Sequence, residues 1–221
     1  MKLRLQYTVK NMKRTTCKII SDASYDHLTG KCGYGVIILM KDLCIFKYGS
    51  IRGAKSSSEA EVLAAKKGID YLQTKEFAAF NRPVKKVVLL SDSFVVRAFD
   101  PREGDKLGKY SPRDGKKRLR KTIDAMREAC SKYERGYEAY HIRGHQELTA
   151  LPDKEKGYYH KVLEYKYNQW CDQSARKNLR YNLKGKKVVH CNGFPSPEKY
   201  VVEVPEGAFL ARKESLAQNL Q

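Results

Sequence analysis

The sequence predicts an α/β protein, a sheet covered by helices on both faces, and three observations lead there. Three short apolar and β-branched runs come first: "TCKIISDAS", "GYGVIILM" and "LCIFKYGS". A helical period follows in "SSSEAEVLAAKKGIDYL", where Ala60, Leu63, Ala64, Gly68, Tyr71 and Leu72 fall on one stripe. The chain then continues as strand, helices, strand and helix.

Each element has its own signal. The first run reads as a strand ending in Asp22, and the next two are joined by a tight turn at Lys41–Asp42, giving an antiparallel meander. The serine cluster before the helical stripe supplies an N-cap. After a loop marked by Asn81–Arg82–Pro83, residues 85–91 form a fourth strand, within "VVLLSDSFVV", and "SFVVRAF" is expected to begin a helix. "LRKTIDAMREACSKY" and "EYKYNQWCDQSARKNL" read as helices on either side of a short strand, "YEAYHI". The tail from about residue 184 holds "KKVVH" and "KYVVEV", expected to pair as a hairpin. The organisation expected is a basic arm over residues 1–15, one domain over 16–183 and a C-terminal extension over 184–221.

Charge points to the partner. The 221 residues carry 44 Lys and Arg against 25 Asp and Glu, a formal net charge of +19, which implies a polyanion, nucleic acid above all. Six scattered cysteines without a CxxC pair read as reduced core thiols, as in an intracellular, cytoplasmic protein. No apolar stretch approaches the roughly 18 residues of a membrane span. Neither a membrane nor a small-molecule organic cofactor is expected, and the sequence names no protein partner for the extension.

Four acids interrupt this pattern. Asp22 closes the first strand, Asp92 closes the fourth, Glu61 lies early in the helix between them, and Asp172 lies in the last helix after Trp170 and Cys171. If the first and fourth strands are parallel neighbours joined by a right-handed crossover, Asp22 and Asp92 stand side by side. Clustered carboxylates repel and protonate unless cations neutralise them. All-oxygen ligands suit Mg²⁺ or Mn²⁺. Two such ions on a phosphodiester would stabilise attacking water and leaving oxygen together. Taken singly, each acid reads as an ordinary cap or strand end rather than a catalytic residue.

The joint pattern resembles the type 1 ribonuclease H family over roughly residues 16–180. "SDASYDHLTGKCGYGVIIL" is similar to the family's first hairpin, "SSSEAEVLAA" to its acidic helix start and "LLSDSFVV" to its third acidic motif. "IRGHQ" resembles its Arg-Gly-His loop, and "NQWCDQSAR" its Asn-x-x-x-Asp ending. The resemblance implies a ribonuclease H-like fold with a five-stranded mixed sheet, three antiparallel strands and then two parallel. It implies hydrolysis of the RNA strand of RNA–DNA hybrids to 3′-hydroxyl and 5′-phosphate ends. By the same resemblance Asp22 bridges two Mg²⁺ ions, with Mn²⁺ able to substitute. Glu61, rather than Glu59, and Asp92 complete one site, and Asp172 helps to hold the other. His145 assists proton traffic or product release, Asn168 supports the site, and Ser56, Ser57 and Ser58 meet the minor groove. Lys116, Lys117, Arg118, Arg120 and Lys121 fall where many members carry a basic handle, within residues 101–121, which hold nine basic and three acidic side chains.

The match frays between His145 and Asn168, where 22 residues (146–167) replace a short family loop. They leave the role of His145 open to His141 and His160. The family's tryptophan-rich substrate ridge has no counterpart, and Trp170, the one tryptophan, reads as core. Two alternatives stand beside the ribonuclease: a non-catalytic nucleic-acid-binding module on the same fold, and a DNA-directed nuclease or strand-transfer relative.

Overall fold

The three leading runs form β1 (Thr16–Tyr25), β2 (Cys32–Leu39) and β3 (Leu43–Ile51), an antiparallel meander. The computed structural model describes residues 15–103, 116–142, 158–190 and 195–204. β2 is buried along its whole length, and alternate residues serve opposite faces. Val36 and Ile38 join one apolar cluster, Ile37 and Leu39 another. A strand covered on both faces reads as a continuous apolar run, as this one does.

Helix α1 (Ser57–Tyr71) starts at Ser56, whose backbone is extended and whose hydroxyl accepts the Glu59 N–H at 3.2 Å. Its apolar face lies on β1, where Gly68 sits so close that a Cβ would come within 3.0 Å of the Ile19 side chain. After the single turn of α2 (Lys75–Ala78), β4 (Lys86–Ser91) returns beside β1 in parallel, with Ile20 opposite Leu90. The expected crossover is therefore present. "SFVVRAF" departs from expectation: Phe94–Phe99 is a 3₁₀ helix, not the start of a longer α-helix. Two β-branched residues and a proline at 101 account for this, because proline forces the preceding Asp100 into extended backbone, ψ 123°.

Helix α3 (Lys116–Ser131) packs with α1 on one face, β5 (Tyr137–His141) adds in parallel beside β4, and α4 (Tyr158–Tyr181) covers the other face. α4 begins ten residues before Asn168, so the later part of the 146–167 segment is helix. Among the described residues the sheet has six strands rather than the five expected, in the order β5-β4-β1-β2-β3 and then the segment Gly185–His190. The added strand is β6 (Gly185–His190), antiparallel to β3. "KKVVH" thus satisfies its backbone on the exposed edge of β3 instead of forming a hairpin with "KYVVEV". The latter supplies the end of a 3₁₀ turn at Pro197–Tyr200 and a segment that lays buried Val202 on the α4 side.

Trp170 belongs to the core, 6% exposed, with its ring edge-on to Phe46 at 5.0 Å and its indole N–H donated to the Tyr200 carbonyl at 2.6 Å. Cys17, Cys32, Cys44, Cys130 and Cys171 are buried free thiols, and Cys191 lies outside the described residues. Among the described residues no helix is long and apolar enough to cross a membrane.

Candidate active site

Strand register places the first two acids. Asp22 and Asp92 each lie two residues beyond the last parallel pair, Ile20 with Leu90, so both leave the sheet at the same end. Glu61 reaches that end from the second turn of α1. One carboxylate oxygen from each of the three falls within 4.8 Å of the others. Three acids far apart in sequence thus converge from two strands and a helix.

The fourth acid comes close through missing side chains. Asp22 is paired with Gly35 across β1 and β2, and a Cβ at Gly33 or Gly35 would come within 3.0 Å of the α4 backbone at Ala175 or Cys171. Only glycine lets α4 settle this deeply onto β2. Asp172, next to Cys171, consequently lies close enough for its charge to act on Asp22. It stands outside the group of three, and its Oδ1 accepts from Arg176 Nε at 2.7 Å.

The electrostatics of this end are unfavourable for anions. Burial first, then the charges of Asp92 and Asp172, push the Asp22 carboxyl up to about 8. Burial, then Asp22 and Asp92, push Glu61 well above the usual carboxylate range, and a hydrogen bond joins the two carboxyls. Glu61 Oε2 is buried without a hydrogen-bond partner among the described residues. Apart from its carboxyl neighbour, Asp22 has one donor among the described residues, the Ala23 N–H at 2.7 Å on Oδ1. A hard divalent cation fits this set: oxygen donors only, mutually repelling, one of them unpartnered. It is a candidate metal centre whose ligands would be Asp22, Glu61 and Asp92.

Supporting residues surround it. Asn168 Nδ2 donates to Asp92 Oδ2 at 3.1 Å, which fixes that carboxylate from α4. His141, at the end of β5, is hydrogen-bonded through Nε2 to the Asp92 carbonyl at 2.9 Å and stacks on Phe94 at 3.9 Å between centroids. The sequence placed His141 in the neighbourhood without revealing this contact, because the pairing of β5 with β4 creates it. His145 lies outside the described residues.

Glu59 is separate from the acids and has a structural task. It accepts the Lys55 N–H at 2.8 Å and pairs with Arg118 at 2.7 Å, while Arg118 also donates to the Gly53 carbonyl at 2.7 Å. Arg118 therefore ties the start of α3 to the loop before α1. Lys117, Arg120 and Lys121 are exposed on the same helix, which begins at Lys116. Ser56 is occupied as the cap, Ser57 is exposed and Ser58 half-buried.

No protein-family model matches the sequence, and no curated protein matches it. Among solved structures the chain resembles RNase H1 from the halophilic archaeon Halobacterium salinarum NRC-1, at 16% identity and TM-score 0.48, over 74% of this chain and 97% of that one. It also resembles the N-terminal RNase H domain of a Mycobacterium tuberculosis protein, at 17% identity and TM-score 0.45, over 75% and 94%. A third is LC11-RNase H1 in complex with RNA/DNA hybrid, at 16% identity and TM-score 0.42, over 57% and 85%. At this similarity any functional reading rests on the carboxylates and topology of this chain.

Proposed function

We propose that the protein is a metal-dependent endoribonuclease that hydrolyses the RNA strand of RNA–DNA hybrids. The observation that carries this reading is the convergence of Asp22, Glu61 and Asp92 within 4.8 Å on a chain of net charge +19. Carboxylates that cannot all ionise together, on a strongly basic protein, suit hard cations and a phosphodiester.

Two divalent cations, Mg²⁺ or Mn²⁺, supply when bound the Lewis acidity that activates water and holds the leaving oxygen. The chain's own residues do the rest. Asp22, Glu61 and Asp92 would hold the cations, and Asp172, now paired with Arg176, would be the fourth acid available to them. Asn168 keeps Asp92 in one orientation, and His141 pins the backbone behind it. His145 is the residue proposed for proton traffic. Ser57 and Ser58, beside the α1 N-terminus, suit contacts to the shallow minor groove, where 2′-hydroxyls distinguish RNA from DNA. The exposed lysines and arginine of α3 suit the backbone of the hybrid beyond the scissile site.

The test is cleavage of end-labelled RNA–DNA hybrid, duplex DNA and duplex RNA, with and without Mg²⁺. Cleavage confined to the RNA of the hybrid, dependent on divalent cation and leaving 3′-hydroxyl ends, is expected. Preferential cutting of duplex DNA would transfer the site to a DNA-directed nuclease. Tight binding without cleavage of any substrate would leave a binding module.

A further inference from the structure

The edge formed by β3 and β6 carries cations that the acids do not use. Lys47 and Lys186 are directly opposite one another across the two strands. Both ammonium groups lie over the ring of Tyr71, at 3.9 and 5.8 Å from its centroid. Like charges so placed repel. Lys184 and Lys67 add to the repulsion: burial first, then Lys186, Lys184 and Lys67 lower the Lys47 ammonium to about 8. One carboxylate answers them among the described residues, Glu76, which pairs with Lys186. The electron-rich face of Tyr71 takes up a further part of the charge.

Tyr71 adds a second, independent observation. It is 3% exposed, and its hydroxyl is buried without a hydrogen-bond partner among the described residues. Native interiors seldom leave a polar atom in that condition. Repelling lysines and an unpartnered hydroxyl in one place match an anion whose oxygens could accept from them.

We propose that this cluster is a second anion-binding site, holding a backbone phosphate of the bound nucleic acid at a distance from the acids. Strand register sets the distance. Lys186 is level with Lys47, Lys47 with Val36, and Val36 with Ser21, the residue before Asp22. With strands spaced by about 4.8 Å, that row spans about 14 Å from β1 to β6. Duplex phosphates recur at about 3.4 Å per strand along the axis, so this backbone separation corresponds to a few base pairs. Lys47 is on the α1 face of the sheet, as Val36 is, and Asp22, paired with Gly35, is turned towards α4 at its end. A free phosphate ion presents the same chemistry but does not use the alignment with the acids. The assignment rests on the reading that those acids act on nucleic acid.

The experiment compares two variants of equal charge. Lys47→Gln/Lys184→Gln/Lys186→Gln removes the cluster, and Lys85→Gln/Lys132→Gln/Lys199→Gln removes three lysines elsewhere. Affinity for RNA–DNA hybrid is measured at several salt concentrations without divalent cation. The slope of log affinity against log salt should fall by roughly 0.7–0.9 for each lost phosphate contact in the cluster variant, and less in the charge-matched one. Equal slopes in the two variants overturn the proposal. If inorganic phosphate raises the melting temperature of the wild type but not of the cluster variant, while the slopes stay equal, the site takes a small anion and the nucleic-acid assignment falls. Should the triple variant fail to fold, Lys184→Gln/Lys186→Gln, which leaves the half-buried Lys47 in place, is judged by the same slopes. The two readings fail separately: a wild type that cleaves no hybrid sinks the nuclease, whereas the slopes decide the cluster without any cleavage.

Discussion

Asp22 and Asp100 are both buried aspartates, 5% and 1% exposed, in opposite electrostatic circumstances. Burial alone would raise Asp100, but hydrogen bonds from the Arg102 side chain, the Ala139 N–H and the Arg102 N–H outweigh it and hold the carboxyl at about 2. The distances are short: Arg102 Nη2 at 2.6 Å, Arg102 Nε and N at 2.9 Å, and Ala139 N at 3.0 Å. Asp22 has one backbone donor and acids for neighbours. Asp100 is complete within the fold, whereas Asp22 lies in a group of acids that could take a cation from outside it. The difference separates a carboxylate that holds the structure from one available for chemistry.

The largest effect that would break this comparison is on activity. Asp22→Asn or Asp92→Asn should reduce hybrid cleavage to background in single-turnover assays. In metal-free buffer the melting temperature of either variant should be no lower than that of the wild type, because a mutually repelling charge is removed. Added Mg²⁺ should then stabilise the wild type more than the variants, since a ligand bound only by the folded state raises its stability. Full activity in either variant would remove these acids from the chemistry.

Asp100→Ala should do the reverse. Cleavage should persist, while stability should fall by about 1–3 kcal/mol, the range for leaving a buried donor such as the Ala139 N–H unsatisfied. Arg102 is 58% exposed and is not stranded by the change. Denaturant unfolding at neutral pH measures the loss, and a loss indistinguishable from zero would mean that Asp100 holds nothing together.

The same carboxyl supplies a pH signature. Its folded value, about 2, lies below the ordinary 3.8, so the native state favours the ionised form. The stabilisation is therefore complete above the unfolded value and is lost as pH falls from about 4 towards 2. The stability gap between wild type and Asp100→Ala should narrow across that window and nowhere above it. A gap constant from pH 6 to about 2 would assign the stabilisation to packing rather than charge.

Legibility in the sequence followed the range of the interactions. The meander, the crossover and the acids at strand ends could be read because each depends on local pattern plus one chirality rule. The sixth strand could not: "KKVVH" has the same signal whether it pairs with its neighbour or with β3, and the open edge of β3 decided it. Arg102 stands two residues from Asp100, but the Ala139 N–H that Asp100 accepts lies 39 residues away, and no local pattern shows that contact. The helix at Phe94–Phe99 begins where the sequence places one, but apolar residues in a helical rhythm do not show that it is a single short 3₁₀ segment ending before Pro101. The approach of Asp172 to Asp22 depends on Gly33 and Gly35, residues that read as strand punctuation until α4 is seen lying on them.

The smallest effect concerns the cations of α3, where the same contrast recurs with opposite charge. Arg118 already has partners in Glu59 and Gly53, whereas Lys117 and Lys121 stand exposed. Arg118 is half-exposed, and Glu59 keeps the Lys55 N–H when it goes, so Arg118→Gln should lower stability by under about 1 kcal/mol. Its effect on the salt dependence of hybrid binding should be small, because a guanidinium engaged within the fold contributes little counterion release on binding. Lys117→Gln and Lys121→Gln should instead leave stability unchanged and each flatten the slope of log affinity against log salt by roughly 0.7–0.9. Melting curves and salt titrations on the three single variants separate the outcomes. A slope change in Arg118→Gln as large as in Lys117→Gln would mean that the arginine leaves Glu59 for phosphate when substrate binds, making that ion pair a resting contact of the handle rather than a fixed tie.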